Sequence, residues 1–97
     1  MSEKEKVDKA VELYNQGKFK EAIDAFSSVL ETCQDNAELY NNIALCYANL
    51  GEYDKAEKHY LRAQELNPKL PQVYINLADI YYRKKDMGSG IGLVSTG

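Results

Sequence analysis

Residues recur along this chain at a constant distance of 34 positions, so any fold it adopts must be built from copies of one unit. Ala10, Ala44 and Ala78 stand 34 apart, as do Gly17 and Gly51, Ala22 and Ala56, and Glu31 and Glu65. Apolar positions keep the same step: Phe19 with Tyr53, Phe26 with Tyr60, Tyr40 with Tyr74, Ile43 with Leu77, and Tyr47 with Tyr81.

Within a period, apolar residues return every three or four positions, as in Leu39, Ile43, Cys46, Tyr47 and Leu50, which is the spacing of a helix face. Gly17 and Gly51 break the pattern at one phase, where a residue free to adopt the left-handed conformation turns the chain between antiparallel helices. Asp35-Asn36 and Asn67-Pro68 are expected to close the second helix of each pair, and Pro71 to open a new one. The reading is all-α, with helices over 2–16, 19–32, 37–50, 53–66 and 71–85.

Ninety-seven residues amount to one domain, and a hydrophobic share of 44% beside 28% charged residues favours a folded chain over a disordered one. The net charge of -3 disfavours nucleic acid, which requires Lys and Arg gathered on one face; the short run Arg83-Lys84-Lys85 is read as complementing a helix end. No stretch reaches the roughly 20 apolar residues that span a bilayer, and the charged start of the chain has no apolar run behind it. Cys33 and Cys46 are thirteen residues apart without a metal-binding spacing, so no disulfide or metal is expected and a reducing, cytoplasmic setting follows.

The second period carries Tyr40, Ile43-Ala44, Tyr47, Ala56, Tyr60 and Pro68, and in these residues and its length it resembles the tetratricopeptide repeat. The resemblance implies helix pairs stacked in a right-handed superhelical solenoid: repeats over 3–36 and 37–70, and a half repeat over 71–86. Small Ala44 and Ala56 then mark a close helix approach, with Phe19, Phe26, Tyr47, Tyr53, Tyr60 and Tyr81 as core. The first repeat departs from the pattern at Lys6, Lys9 and Gln34, as a polar cap would.

In the third repeat Lys85 replaces the turn glycine, and a Gly-rich stretch follows. Each helical glycine costs about 1 kcal/mol, so no sixth helix is expected. Residues 87–97 read as a non-helical tail, open to interpretation as a native terminus, the altered end of a longer repeat protein, or a segment whose Ile91, Leu93 and Val94 dock on another copy. Without a sixth helix, Leu77, Ile80 and Tyr81 are expected to be exposed and to support self-association into a homo-oligomer.

The resemblance also implies that the first helix of each pair lines a concave face that binds a peptide or helix of a partner protein. Val7, Val11 and Tyr14 belong there from the first helix, Asn41, Asn42, Leu45 and Asn49 from the third, and Gln72, Ile75, Asn76, Asp79, Tyr82 and Arg83 from the fifth. Asn42 and Asn76 match an asparagine that grips a ligand backbone in many family members, since a carboxamide both donates and accepts. The cationic clamp that some members close on acidic chaperone tails is not matched: Val7, Val11, Gln72 and Asn76 stand at its other positions. The alternative is a structural unit that stacks with copies of itself.

Catalysis is not expected. His59 falls on a second helix away from the concave face, no nucleophile is placed to act with it, and the tail glycines lack the Lys and following helix of a phosphate loop. No cofactor is called for.

Overall fold

In the computed structural model, residues 2–89 are described, with side chains as far as Lys85. They form five helices in chain order: α1 (Glu3–Asn15), α2 (Phe19–Leu30), α3 (Ala37–Asn49), α4 (Tyr53–Leu66) and α5 (Pro71–Ser89). Neighbours pack in sequence, α1 on α2, α2 on α3, α3 on α4 and α4 on α5, and α3 also touches α5. This is a solenoid of about two and a half helix-pair repeats, with no strand among the described residues.

Local chemistry starts and stops each helix. Ser2 accepts from the Glu5 amide at 3.2 Å while its own amide donates to Glu5 Oε1 at 3.0 Å, a capping box that opens α1. Gly17 and Gly51 both sit at φ +80°, which a side chain would strain. Around them the amides of Lys18 and Glu52 reach back to Leu13 and Tyr47 carbonyls at 2.9 Å, closing α1 and α3 in the same way.

Two ends differ from the sequence expectation. α2 stops at Leu30, ahead of Asp35-Asn36, and Asn36 opens α3 by accepting from the Leu39 amide at 3.2 Å. α5 continues past 85 to Ser89: with Lys85 where the turn glycine would stand, no left-handed residue stops it, and glycine penalises a helix without forbidding it. The tail reading for 90–97, including Ile91, Leu93 and Val94, lies outside the described residues.

Ala10, Ala22, Ala44 and Ala56 are completely buried, the small residues that let paired helices approach. Phe26, Val29, Leu39, Ile43 and Cys46 fill the core of the first repeat and its junction with the second. Tyr60, Ala63, Val73, Leu77 and Ile80 fill that between α4 and α5. Tyr81, read as core, is instead 48% exposed, because no helix covers that side of α5 among the described residues.

Candidate functional site

The first helices α1, α3 and α5 are stitched by side-chain amides. Asn49 Nδ2 donates to the Tyr14 hydroxyl at 3.1 Å and to the Leu45 carbonyl at 2.8 Å, tying α3 to α1. Asn76 Nδ2 donates to Asn41 Oδ1 at 3.1 Å, tying α5 to α3. Asn41 is the buried polar residue among the described residues, 9% exposed, and through Asn76 it braces a helix junction. A buried carboxamide without such a partner would be costly, which explains the pairing.

Two clefts run along this side and meet at Leu45. One, of about 200 Å³, is lined by Val11, Tyr14, Asn15, Phe26, Asn42 and Leu45. The other, of about 360 Å³, is lined among others by Leu45, Asn49, Tyr53, Asn76, Asp79 and Arg83. The sequence-predicted residues Val11, Tyr14, Asn42, Leu45, Asn49, Asn76, Asp79 and Arg83 are thus brought together, while Ile75 and Tyr82 line neither cleft. Gln72 lies nearby, in a smaller hollow with Asn41 and Asn42. Val7 is half-buried against the first core cluster.

The two asparagines singled out by the repeat have different work. Asn76 is engaged with Asn41, whereas Asn42, half-buried and bordering both the apolar cleft and the smaller hollow, makes no hydrogen bond among the described residues. A carboxamide both donates and accepts, so this side chain has both capacities unused among the described residues.

Charge in the trough is confined to one end. Arg83 Nε donates to Asp79 Oδ2 at 2.8 Å, so the pair is locally neutral, and Tyr53 lines the same cleft beside it. Tyr53 was read as core only; the signal that could have placed it here is that its repeat counterpart is Phe19, so the change adds a hydroxyl and nothing else.

Leu77 and Ile80, expected on an exposed face, are 5% and 0% exposed. They pack on α4 with Tyr60 and Ala63, because the preceding helix already covers that side of α5. Of the three residues assigned to self-association, only Tyr81 reaches the surface.

On the opposite side, His59 Nδ1 lies 2.8 Å from the Lys55 carbonyl, and its ring stacks between Tyr40 and Tyr47 with centroids 6.2 and 5.2 Å away. The imidazole packs between two rings, remote from the trough. Both cysteines are free thiols; Cys46 is buried and its pKa is pushed up to about 11 by burial, while the Glu3 carboxylate, as acceptor for the Cys33 S–H, raises that of Cys33. No cluster able to hold a metal occurs among the described residues, and no described helix is long and apolar enough to cross a membrane.

A trough built from the first helices of stacked pairs defines a class of helical-repeat protein, and comparison with known proteins gives the family. Two family models match, one described as tetratricopeptide repeat over residues 37–70 and one as TPR repeat over residues 10–51. The chain belongs to the tetratricopeptide repeat family.

The photosystem I assembly protein Ycf3 of Cyanophora paradoxa is 32% identical over 81 residues, covering 80% of this chain and 47% of that protein. Human tetratricopeptide repeat protein 28 is 34% identical over 70 residues, 72% of this chain and 3% of that one. The chain therefore spans less than half the length of these relatives.

Among solved structures, the Yersinia enterocolitica type III secretion chaperone SycD, in complex with a peptide of the translocator YopD, superposes with TM-score 0.81 at 19% identity. That match covers 88% of this chain and 65% of the other. The first TPR of Spaghetti (RPAP3), bound to the HSP90 peptide SRMEEVD, gives TM-score 0.50 at 20% identity, covering 84% of this chain and 91% of that one. At these identities the likeness is one of fold.

Proposed function

We propose that this chain is a protein-interaction module that holds a peptide or helix of a partner protein in the trough between α1, α3 and α5. The observation that carries the reading is Asn42, whose free carboxamide sits beside an apolar cleft formed with Val11, Tyr14 and Leu45. Such an amide grips a peptide unit without reading a side chain, and the apolar wall receives an aliphatic or aromatic residue beside it. The Asp79–Arg83 pair sets the polar end.

Amides, aliphatic side chains, tyrosines and one ion pair are the chemistry of recognition rather than of bond-breaking. The two solved structures named above were obtained with bound peptides, which supports a peptide ligand here. The acidic peptide SRMEEVD is a poor fit, since Val7, Val11 and Gln72 offer it no cation. Two free thiols favour a reducing compartment, the cytoplasm in the simplest case.

A phage-displayed random peptide selection on the full chain tests the proposal. Selected peptides are expected to bind with dissociation constants on the order of 10–100 µM, as a short surface of this kind allows. Loss of one hydrogen bond in Asn42→Ala is expected to weaken them about 5- to 10-fold. The melting temperature should not change, because Asn42 makes no internal bond. If Asn42→Ala and Leu45→Lys both leave the affinity intact, the trough is not the binding site.

A further inference from the structure

α5 carries two apolar faces. Val73, Leu77 and Ile80 are buried on one side, while Tyr74, Ile75, Ala78, Tyr81 and Tyr82 are exposed on the other. A third face, with Asn76, Asp79 and Arg83, borders the trough, so the exposed apolar stripe is a separate surface of the kind that marks an association site. The repeat makes the same point at a single position: Ala10 and Ala44 are completely buried, and Ala78, their counterpart, is open.

The exposed set is symmetric about Ala78. Ile75 and Tyr81 stand three residues to either side of it, and Tyr74 and Tyr82 four. These are the steps of one helix face, so the five residues form a stripe with the smallest at its centre. Two such helices laid antiparallel, Ala78 against Ala78, bring Ile75 of each beside Tyr82 of the other and Tyr74 beside Tyr81, since a twofold axis across the seam keeps each side of the stripe on its own side. We infer that this face docks a second copy of the chain in an antiparallel, twofold-symmetric dimer centred on Ala78.

The chain already uses this kind of packing, small residues at a helix crossing with aromatics beside them, at Ala44, Ala56, Tyr47 and Tyr60. Charge does not oppose it. Arg83 is paired with Asp79, and Lys84 with Asp54 and Glu57 at 2.8 and 2.6 Å, all within one copy.

The other end of the solenoid differs. There α1 exposes the ion pairs Lys4–Asp8 and Lys9–Glu12, which offer no apolar counterpart to α5. Contact is therefore tail to tail, and a twofold contact closes at two copies instead of growing a filament. Given about 150–250 Å² for each aromatic side chain, the exposed fractions of Tyr74, Ile75, Tyr81 and Tyr82 supply roughly 500 Å² per copy. Two copies bury on the order of 1,000 Å², the lower edge of specific interfaces, so the dimer is weak, with a midpoint of about 100 µM.

Sedimentation equilibrium of the full chain from about 10 µM to 1 mM, spanning that midpoint, is expected to show the mass rising towards twice that of one chain. Ala78→Glu, which sets two carboxylates at the twofold axis, should move the midpoint at least about tenfold higher while helicity and binding of trough-selected peptides stay unchanged. Should Ala78→Glu lose helicity, Tyr82→Glu, at a residue 74% exposed, makes the same test. In a Cys33→Ser background, Ala78→Cys should form a disulfide-linked dimer on mild oxidation and Lys9→Cys should not. A constant monomer mass across the range, a dimer indifferent to both charged variants, or equal cross-linking at Lys9→Cys overturns the inference.

Discussion

Ala44 and Ala56 are both fully buried where α3 crosses α4, and the helices can only come that close because neither position carries more than a methyl group. Ala44→Leu overpacks the crossing and is expected to cost about 1–3 kcal/mol, read as a lower urea midpoint, with the far repeat perturbed little. Cys46 and Tyr60 act on stability through their protons. Burial raises the Cys46 thiol from 9.0 to about 11 and raises the Tyr60 phenol as well. The folded state thus keeps protons that the unfolded state releases, so this contribution is constant below about pH 9 and is lost as pH rises towards 11. Urea midpoints should be level through neutral pH and fall from about pH 9 upward, and Cys46→Ala should make that fall shallower. An unchanged slope in the variant would remove Cys46 from the account.

At the scale of the element, α5 shows how a helix at the end of a stack is held. One face packs on α4 through Val73, Leu77 and Ile80, and Lys84 fastens its distal half by bonding Asp54 and Glu57 at the start of α4. These two carboxylates raise the Lys84 pKa, so the ammonium persists well into alkaline pH. Ion pairs at the surface are screened by salt and contribute little singly, but this one spans two helices at a point where α5 has few other neighbours. Lys84→Ala should speed amide exchange several-fold in the distal turns of α5 and leave α2 and α3 unaffected. The effect should shrink in high salt; equal exchange in both proteins would show that apolar packing alone holds those turns.

At the scale of the molecule, each repeat touches only its neighbours, and the two ends of the stack differ in chemistry. The N-terminal end is sealed by charge pairs on α1, and the C-terminal end shows the tyrosines of α5. The trough and the α5 stripe are separate surfaces, since Ile75 and Tyr82 line neither cleft. A dimer formed through the stripe would carry two troughs, and a partner with two binding segments would gain affinity from both at once. Peptide binding and self-association are therefore independent measurements on this protein, and the Asn42→Ala and Ala78→Glu variants separate them.

The 34-residue period determined the helix pairs, the glycine turns and the alanine crossings, because periodicity states which residues share a face and where a left-handed residue is required. The resemblance to the tetratricopeptide repeat, taken with helical phase, brought most of the trough together, from Val11 to Arg83. What it could not decide was which neighbour covers a face. Adjacent Asn41 and Asn42 differ by one step of rotation about α3, yet one is buried on Asn76 and the other free in the trough. Leu77 and Ile80 matched repeat positions thought to await a following helix, and only the packing of α5 on α4 showed them already covered and moved the open face to Tyr74, Ala78 and Tyr82. Burial is a property of two surfaces in contact, and a periodic sequence specifies each surface alone.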